Sequence, residues 1–142
     1  MYVDSQLLFS DAQAVTAAAG STNTIDLGAV RDIGVGEQLY VVCLCDVAMT
    51  DGSSDSTLAV ALETDSTTTF TPDATRTLFT FSALSAAGTV KYAALGPDDI
   101  NLQYARLKYT PANGDLTTGS FTAFITKDIQ KYKAYADNVT IS

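Results

Sequence analysis

The sequence predicts an all-β protein made of one domain, and three of its features support this prediction. The 142 residues match the size of one ordinary domain, and a hydrophobic content of 46% is typical of a folded core. Apolar and polar residues alternate repeatedly, in runs that are separated by clusters of Gly, Asn, Asp, Ser and Thr. Thr, Val, Tyr, Phe and Ile, which suit a half-buried pleated surface, recur in these runs. About eight short strands at this spacing predict a jelly-roll-like β-sandwich over residues 1–142.

The predicted strands begin with two weak candidates, at residues 7–16 and 22–27. The next run, residues 39–45, is apolar on both of its faces, since Val41 and Val42 would point to opposite sides of a strand. A strand with two apolar faces is typically covered on both sides, so we expect this one in the interior of a sheet. Clearer alternation predicts five further strands, at residues 57–63, 75–81, 90–92, 102–107 and 121–126.

Between these strands, turn signals are common and helix signals are few. Residues 51–54 and 113–115 contain Gly beside Asn, Asp or Ser, as tight connections require. Residues 10–19 are rich in alanine, but the β-branched residues among them weaken the helical preference and Gly20 ends it. Residues 128–136 are a candidate for one or two helical turns, because apolar residues recur there at near-helical spacing.

The overall charge restricts the class of partner. The chain has 16 Asp and Glu against 8 Lys and Arg, for a formal net charge of −8. This charge repels a phosphate backbone, so we expect no direct contact with nucleic acid. No apolar run approaches the roughly 20 residues of a membrane span, and residues 1–6 lack the basic start of a secretory signal. We therefore expect neither a membrane partner nor secretion.

The two cysteines indicate a reducing compartment. Cys43 and Cys45 lie two residues apart, so on a strand they project in parallel from one face. A disulfide needs Cβ atoms that converge, which this arrangement does not provide. We therefore expect both cysteines to be small buried hydrophobic residues in a protein that matures in the cytoplasm.

The search for catalytic residues yields little. The sequence has no histidine, the commonest general base near neutral pH and the commonest metal ligand. Glu63 and Asp65 share a predicted strand face, as an acid pair for glycoside hydrolysis would. Asp65 falls in the polar run 65–69, however, so a solvated strand end explains them better. Asp51 opens a pattern that resembles half of a calcium loop, yet Leu62 stands where that loop needs a bidentate Glu. We predict no catalytic residue, no cofactor and no metal site.

Basic and aromatic residues gather at the C-terminal end of this acidic chain. They are Lys127, Lys131, Tyr132, Lys133 and Tyr135. A solvated surface with two tyrosines packed on the core would explain the cluster. A docking patch would explain it too, because aromatic residues such as tyrosine are enriched at interfaces.

The N-terminal end is a second candidate for contacts with other proteins. Its apolar residues are Tyr2, Leu7, Leu8 and Phe9. The last three form either a core strand or an arm that packs on a neighbour. Because chain termini fray unless they are docked, we expect residues 1–9 and 128–142 to contribute strongly to contacts between chains.

Seven stretches of the chain carry a resemblance to a known family. They are residues 7–15, 21–28, 31–34, 57–65, 121–123, 128–130 and 132–135. In this order and spacing they resemble the cement, or decoration, proteins of certain tailed-bacteriophage heads, of the type found on Bordetella phage. The similarity spans nearly the whole chain and consists of packing and turn residues, so it assigns no individual functional residue.

This resemblance implies a jelly-roll-like domain on the outer capsid surface of the virion, made in the cytoplasm of the host bacterium. Such a protein binds the major capsid protein, which has the HK97-type fold, and also other copies of itself as a dimer or trimer. It stabilises the contacts between capsid subunits, which the pressure of packaged DNA tends to open. This function requires no enzymatic activity.

Two other functions stay open on the residues alone. A virion-surface module that binds carbohydrate or a receptor would use some of the seven tyrosines, although the lack of tryptophan disfavours sugar. A small hydrolase would use paired acids, with Glu63 as the first candidate.

Overall fold

A computed structural model describes residues 5–28, 38–96 and 99–127. In this part of the chain a short 3-10 helix, Ser5–Leu7, is followed by the strands β1 (Leu8–Ala14), β2 (Ala19–Gly20), β3 (Ile25–Asp26), β4 (Tyr40–Thr50), β5 (Thr57–Asp65), β6 (Ala74–Phe81), β7 (Val90–Ala94), β8 (Tyr104–Ala112) and β9 (Thr118–Thr126). The first sheet has the strand order β1-β9-β4-β7, and the second has the order β2-β8-β5-β6, with β3 also pairing with β8. Both sheets are antiparallel, so the all-β prediction is confirmed.

The strand pairing is that of a jelly roll. β2 and β3 both pair with β8 and can be counted as one interrupted strand, which gives eight strands in all. The first strand then pairs with the eighth and the second with the seventh, while the third pairs with the sixth and the fourth with the fifth. This nested antiparallel pairing around two sheets is the jelly-roll arrangement, and the predicted fold class is confirmed.

The hydrophobic core lies between the two sheets. The first sheet contributes alternate residues of β4 and β9, namely Val41, Cys43, Cys45, Phe121, Ala123 and Ile125. The second sheet contributes Leu58, Val60, Leu62, Phe81, Leu107 and Tyr109. The ring of Phe121 joins the two sets, because its centroid is 5.2 Å from that of Phe81 and 5.9 Å from that of Tyr109.

The strand predicted at residues 102–107 lies further along the chain than expected. It is β8, which begins at Tyr104 and contains Pro111. Proline has no N–H to donate and is usually excluded from the interior of a sheet. β2 pairs only with Lys108 and Tyr109, so at Pro111 the strand has no second neighbour among the described strands. On the side of β8 that faces β2, no described strand therefore loses a hydrogen bond because Pro111 has no N–H.

The alanine-rich residues 10–19 do not form a helix. They include most of β1 and the start of β2, and β1 carries irregular register on both sides of Ser10. Ala12, which has a positive φ of 46°, lies within this irregular stretch. Pairing with β9 buries Phe9 and Ser10 completely. The free energy gained by this burial exceeds the small preference of alanine for helix. The helical candidate at residues 128–136 lies outside the described residues.

Candidate functional site

The structure describes four of the nine residues predicted to contact partners. Leu7 and Leu8 are half-buried, Phe9 is fully buried and Lys127 is exposed. Phe9 belongs to the core between the sheets, so its side chain stabilises the chain's own fold. The other five lie outside the described residues, namely Tyr2, Lys131, Tyr132, Lys133 and Tyr135. Their contacts with partners stay predictions.

The start of β1 and the end of β9 lie together at one end of the first sheet. β1 and β9 are antiparallel, with Leu8 opposite Phe124, so the chain enters β1 beside the point at which it leaves β9. Thr126, the last residue of β9, also lies opposite Tyr40, the first residue of β4. Leu8 and the described end of the chain at Lys127 therefore belong to one small region of the surface. No sequence pattern indicated this proximity.

The first sheet also has an apolar outer face, which the sequence analysis did not assign to a site. One row of paired residues crosses all four strands of this face. It consists of Leu8 on β1, Phe124 on β9, Val42 on β4 and Tyr92 on β7, and we call it the outer row. The row points away from the core, because the core contains the neighbouring Val41 instead of Val42. Val42 and Phe124 are each 1% exposed, whereas Tyr92 is 44% exposed. The two apolar faces of residues 39–45 were the sequence signal for this surface.

Two tyrosines mark the open edge of this face. The rings of Tyr40 and Tyr92 meet edge to face, with their centroids 6.4 Å apart. Such a pair is a favoured aromatic geometry and keeps both rings in a defined orientation. Because Tyr92 lies on the edge strand β7 and is 44% exposed, it is the described aromatic residue of this face that remains available for contact with another molecule.

A hydrogen-bonded cluster holds the chain where it crosses from the first sheet to the second. Ser10 Oγ donates to Gln13 Oε1 at 2.8 Å and lies 2.9 Å from the hydroxyl of Tyr109. Gln13 Oε1 also accepts a hydrogen bond from the N–H of Thr22, while its Nε2 donates to the carbonyl of Gly20. Buried polar groups that are bonded to one another in this way stabilise a fold. The cluster is therefore structural.

Burial keeps the two cysteine thiols and the Tyr109 hydroxyl of the core protonated. It raises the pKa of the Cys43 thiol well above its usual value, and the nearby Cys45 and Asp46 add to this rise. Burial likewise raises the pKa of Cys45 and, far above its usual value, that of the Tyr109 hydroxyl. A thiol that stays protonated is a poor nucleophile and a poor metal ligand. Both cysteines are free and buried in the core, as the sequence predicted.

These pKa directions predict a loss of stability at alkaline pH. In the unfolded chain a cysteine loses its proton near pH 8.5 and a tyrosine near about pH 10. The folded state retains both protons, so above these values the unfolded state binds fewer protons than the folded state. The free energy of unfolding then falls by up to about 1.4 kcal/mol per pH unit for each group. We expect urea unfolding midpoints to be level from about pH 7 to 8 and to fall from about pH 9 upwards.

Replacing one of these groups provides the control for the pH prediction. Cys43→Ala removes one titrating thiol, so the fall in the free energy of unfolding between about pH 9 and 10 should become shallower. Val41→Ala removes a comparable buried side chain from the same face of β4 and should lower stability at every pH without changing the slope. Equal slopes for the two variants would contradict the assignment to Cys43.

The acids considered for hydrolysis are engaged within the fold. Glu63 and Asp65 share the outer face of β5, as the alternation predicted. Glu63 Oε2 accepts a hydrogen bond of 2.7 Å from Arg106 Nε, and the guanidinium carbon of Arg106 lies 4.3 Å from the ring centroid of Phe70. Asp65 Oδ1 accepts a hydrogen bond of 2.8 Å from the N–H of Thr67, which closes the turn after β5. Each carboxylate therefore has a structural role.

The calcium-like pattern is also a turn. Asp51 Oδ2 accepts hydrogen bonds from the N–H groups of Ser53 and Asp55, at 3.2 and 3.3 Å. Within residues 5–28, 38–96 and 99–127, no group of three or more acids or cysteines is placed to hold a metal ion. The same ranges contain no helix whose length and apolar character would let it cross a membrane.

A polar groove of about 550 Å³ lies beside the start of β1. Its described lining consists of Ser5, Gln6, Leu8, Thr22, Asn23, Thr24, Ile25 and Asp26. None of these residues carries an aromatic ring, the group on which a sugar ring commonly stacks. The groove therefore gives the carbohydrate-binding alternative no particular support.

No curated protein matches the sequence. Among solved structures, a chain of infectious bursal disease virus, Gx strain, matches with 16% identity and a TM-score of 0.41, covering 89% of this chain and 32% of that chain. The VP2 subviral particle of infectious bursal disease virus matches with 12% identity and a TM-score of 0.36, covering 84% and 30%. This chain thus spans about a third of the length of either viral chain.

The match to a protein family covers most of the chain. The model of the Bbp16 family matches residues 9–125, a range that contains every described strand from β2 to β8 and nearly all of β1 and β9. This match confirms the resemblance to a Bordetella-phage protein, and it indicates a structural protein of a virion. The chain belongs to the Bbp16 family.

Proposed function

We propose that this protein is a capsid cement protein, which binds the outer surface of a phage head and stabilises contacts between major capsid protein subunits. The observation that carries the proposal is the match of the Bbp16 family over nearly the whole sandwich. Its partners are a major capsid protein of the HK97-type fold and further copies of the same chain, as a dimer or trimer. It acts without enzymatic activity.

The described sandwich suits a protein that works through its surface. Glu63 is bound by Arg106, Cys43 is buried and protonated, and Asp51 closes a turn, so these groups serve the fold. A standard protein interface buries about 1,600 Å² and requires no titrating side chain. On an icosahedral shell, symmetry repeats a modest contact many times, and avidity makes the whole layer stable.

The contact region that we propose is the end of the first sheet at which β1 begins and β9 ends. Leu8 and Lys127 lie there in the described part of the chain. The other proposed contact residues are Tyr2, Leu7, Lys131, Tyr132, Lys133 and Tyr135, while Phe9 supports them from within the core. Because the cluster is basic and aromatic, it would fit an acidic capsid surface with apolar depressions.

Binding to phage heads that lack the protein tests this function. Added protein should sediment with such heads and raise the temperature at which they release their DNA. The double charge reversal Lys131→Glu/Lys133→Glu should weaken binding about tenfold or more, which corresponds to about 1.4 kcal/mol. Lys108→Glu, a reversal on the outer face of the second sheet, should leave binding unchanged. Heads that bind no protein, or bind it and gain no heat resistance, would contradict the proposal.

A further inference from the structure

A small cavity lies between the second sheet and the segment that follows β7. Its volume is about 70 Å³, and its lining consists of Leu62, Thr64, Ala74, Thr75, Arg76 and Asp99. Leu62 belongs to the hydrophobic core, so the cavity lies where the core ends and the polar edge of the sandwich begins. Four of the six lining residues have polar or charged side chains. A polar lining of this kind favours water over an apolar ligand.

Thr64 brings a buried hydroxyl to this cavity. It follows Leu62 by two residues on β5, so both side chains point to the core-facing side of the second sheet. Thr64 is 1% exposed, and its Oγ1 has no hydrogen-bond partner among the described residues. A hydroxyl that leaves water on folding destabilises the fold unless it gains a new partner. The burial of Thr64 therefore indicates a hydrogen-bond partner inside the cavity that it lines.

The ion pair of Arg76 and Asp99 supplies further polar groups to the lining. Arg76 lies opposite Leu62 on β6 and points to the same side of the sheet. Its Nη1 contacts Asp99 Oδ2 and donates to the carbonyl of Ala94, at the end of β7, at 3.3 Å. Asp99 Oδ2 also accepts a hydrogen bond from the N–H of Gly96. A guanidinium has five N–H groups and a carboxylate accepts about four hydrogen bonds, so the pair can bind a further polar partner.

The size of the cavity suits two water molecules. One water occupies about 30 Å³ in the liquid, so about 70 Å³ is enough for two. A buried water typically makes about three hydrogen bonds. Thr64 Oγ1, the guanidinium of Arg76 and the carboxylate of Asp99 offer such bonds, and the two waters can also bond to each other. A cation fits less well, because the lining contains a single carboxylate that Arg76 already neutralises.

We propose that this cavity is a hydration site, in which two ordered waters bridge the hydroxyl of Thr64 to the ion pair of Arg76 and Asp99. The waters satisfy the buried hydroxyl, and they extend the polar contact between the two sheets from the surface to the edge of the core. The Arg76 side chain is 48% exposed, so the bridge connects bulk solvent with the interior. Thr64 is thereby coupled to the ion pair through water. The site does not depend on the proposed capsid function.

The variant Thr64→Val tests the proposal through the sign of its effect. Valine has nearly the same shape as threonine and lacks the hydroxyl. When waters fill the cavity, the change removes one of their partners, and the equilibrium constant for unfolding should rise about fivefold. A hydroxyl that has no partner gives the opposite result, because its replacement by a methyl group relieves the cost of burying it. An unfolding constant that stays the same or falls would overturn the proposal.

A double-mutant cycle tests the coupling between Thr64 and the ion pair. Arg76→Met removes the guanidinium, and Thr64→Val is measured with and without this change. Because either change breaks the same bridge, the two fold-changes multiplied together should exceed that of the double variant by about threefold or more. The matched control is Thr110→Val, at an exposed threonine on β8, whose effect should simply multiply with that of Arg76→Met. Independent effects of Thr64→Val and Arg76→Met would contradict a water bridge.

A high-resolution crystal structure of the full-length chain observes the waters directly. Two ordered waters are expected in the cavity, one of them about 2.8 Å from Thr64 Oγ1. In the Thr64→Val variant this water should be lost or displaced, while the strands around it stay in place. A cavity without ordered water, or one that a protein side chain fills, would show that the proposal is wrong.

Discussion

Replacement of Phe121 by alanine is expected to lower the free energy of unfolding by about 4 kcal/mol, a large part of the stability of a domain of this size. Phe121 is fully buried and contacts Phe81 and Tyr109, which belong to the opposite sheet. These neighbours are held in register by their own strands, so they cannot move in to fill the cavity. Urea unfolding, followed by far-UV circular dichroism, measures the loss.

An exposed apolar residue provides the control for this variant. Val47 lies on β4 and is 49% exposed, so Val47→Ala should change the free energy of unfolding by less than about 0.5 kcal/mol. A loss below about 1.5 kcal/mol for Phe121→Ala would mean that the two sheets do not meet at this ring. Equal losses of stability in Phe121→Ala and Val47→Ala would also mean that the two sheets do not meet at the ring of Phe121.

The second large effect is expected from Arg106→Met, which should lower the free energy of unfolding by about 2 kcal/mol. The side chain of Glu63 is 9% exposed, so without the guanidinium its carboxylate would be left nearly buried and without its cation. Methionine retains most of the aliphatic packing near Phe70 but loses the cation–π contact. The side chain of Arg106 is itself 24% exposed, and water access keeps the loss below that of a fully buried pair.

A double substitution separates the charge from the packing. In Arg106→Met/Glu63→Leu no charge is left behind, so at least half of the lost stability should return. The pair of Arg76 and Asp99 serves as a surface comparison, because the Arg76 side chain is 48% exposed. Arg76→Met should therefore cost less than about 1 kcal/mol. Equal losses for the two arginine variants would contradict the special role of the pair at Glu63.

The strands were predictable where side-chain pattern alone decides them. Residues 39–45 are apolar on both faces, and all of them except Leu39 fall within β4, an interior strand with β9 and β7 as neighbours. Residues 57–63 and 121–126 alternate cleanly and fall within β5 and β9. In these cases a local pattern and the final burial agree, because each strand lies in the interior of its sheet.

The strand pairing was less predictable, because it joins residues that are far apart in the chain. β1 pairs with β9 across more than a hundred residues, and no local pattern specifies that register. Residues 7–16 were only a weak strand candidate, because the alanine content of residues 10–19 favours helix, and this distant pairing decided for strand. The position of Pro111 within β8 depends on where β2 ends, which is likewise a property of the assembled sheet.

For the candidate site, too, the sequence identified individual residues but not how the fold arranges them. The sequence identified Leu7, Leu8 and Phe9 as either core or contact residues, and only the packed sandwich shows that Phe9 is core. It identified the two ends of the chain separately, whereas the proximity of Leu8 to the end of β9 follows from the antiparallel pairing of β1 with β9. Val42 and Phe124 were visible as apolar residues, but their common face depends on the register between β4 and β9.

The place of β8 and β9 in the sandwich has a consequence for synthesis on the ribosome. Each is an interior strand of its sheet, and they are the last two described strands to be made. Until they emerge, β4 has only β7 as a partner and β5 has only β6, so apolar strand edges remain uncovered. At about 5–20 residues per second, synthesis of the 103 residues that precede β8 takes roughly 5–20 s, during which neither sheet can close. The order of strands along the chain therefore makes folding a late, concerted event that waits for β8 and β9.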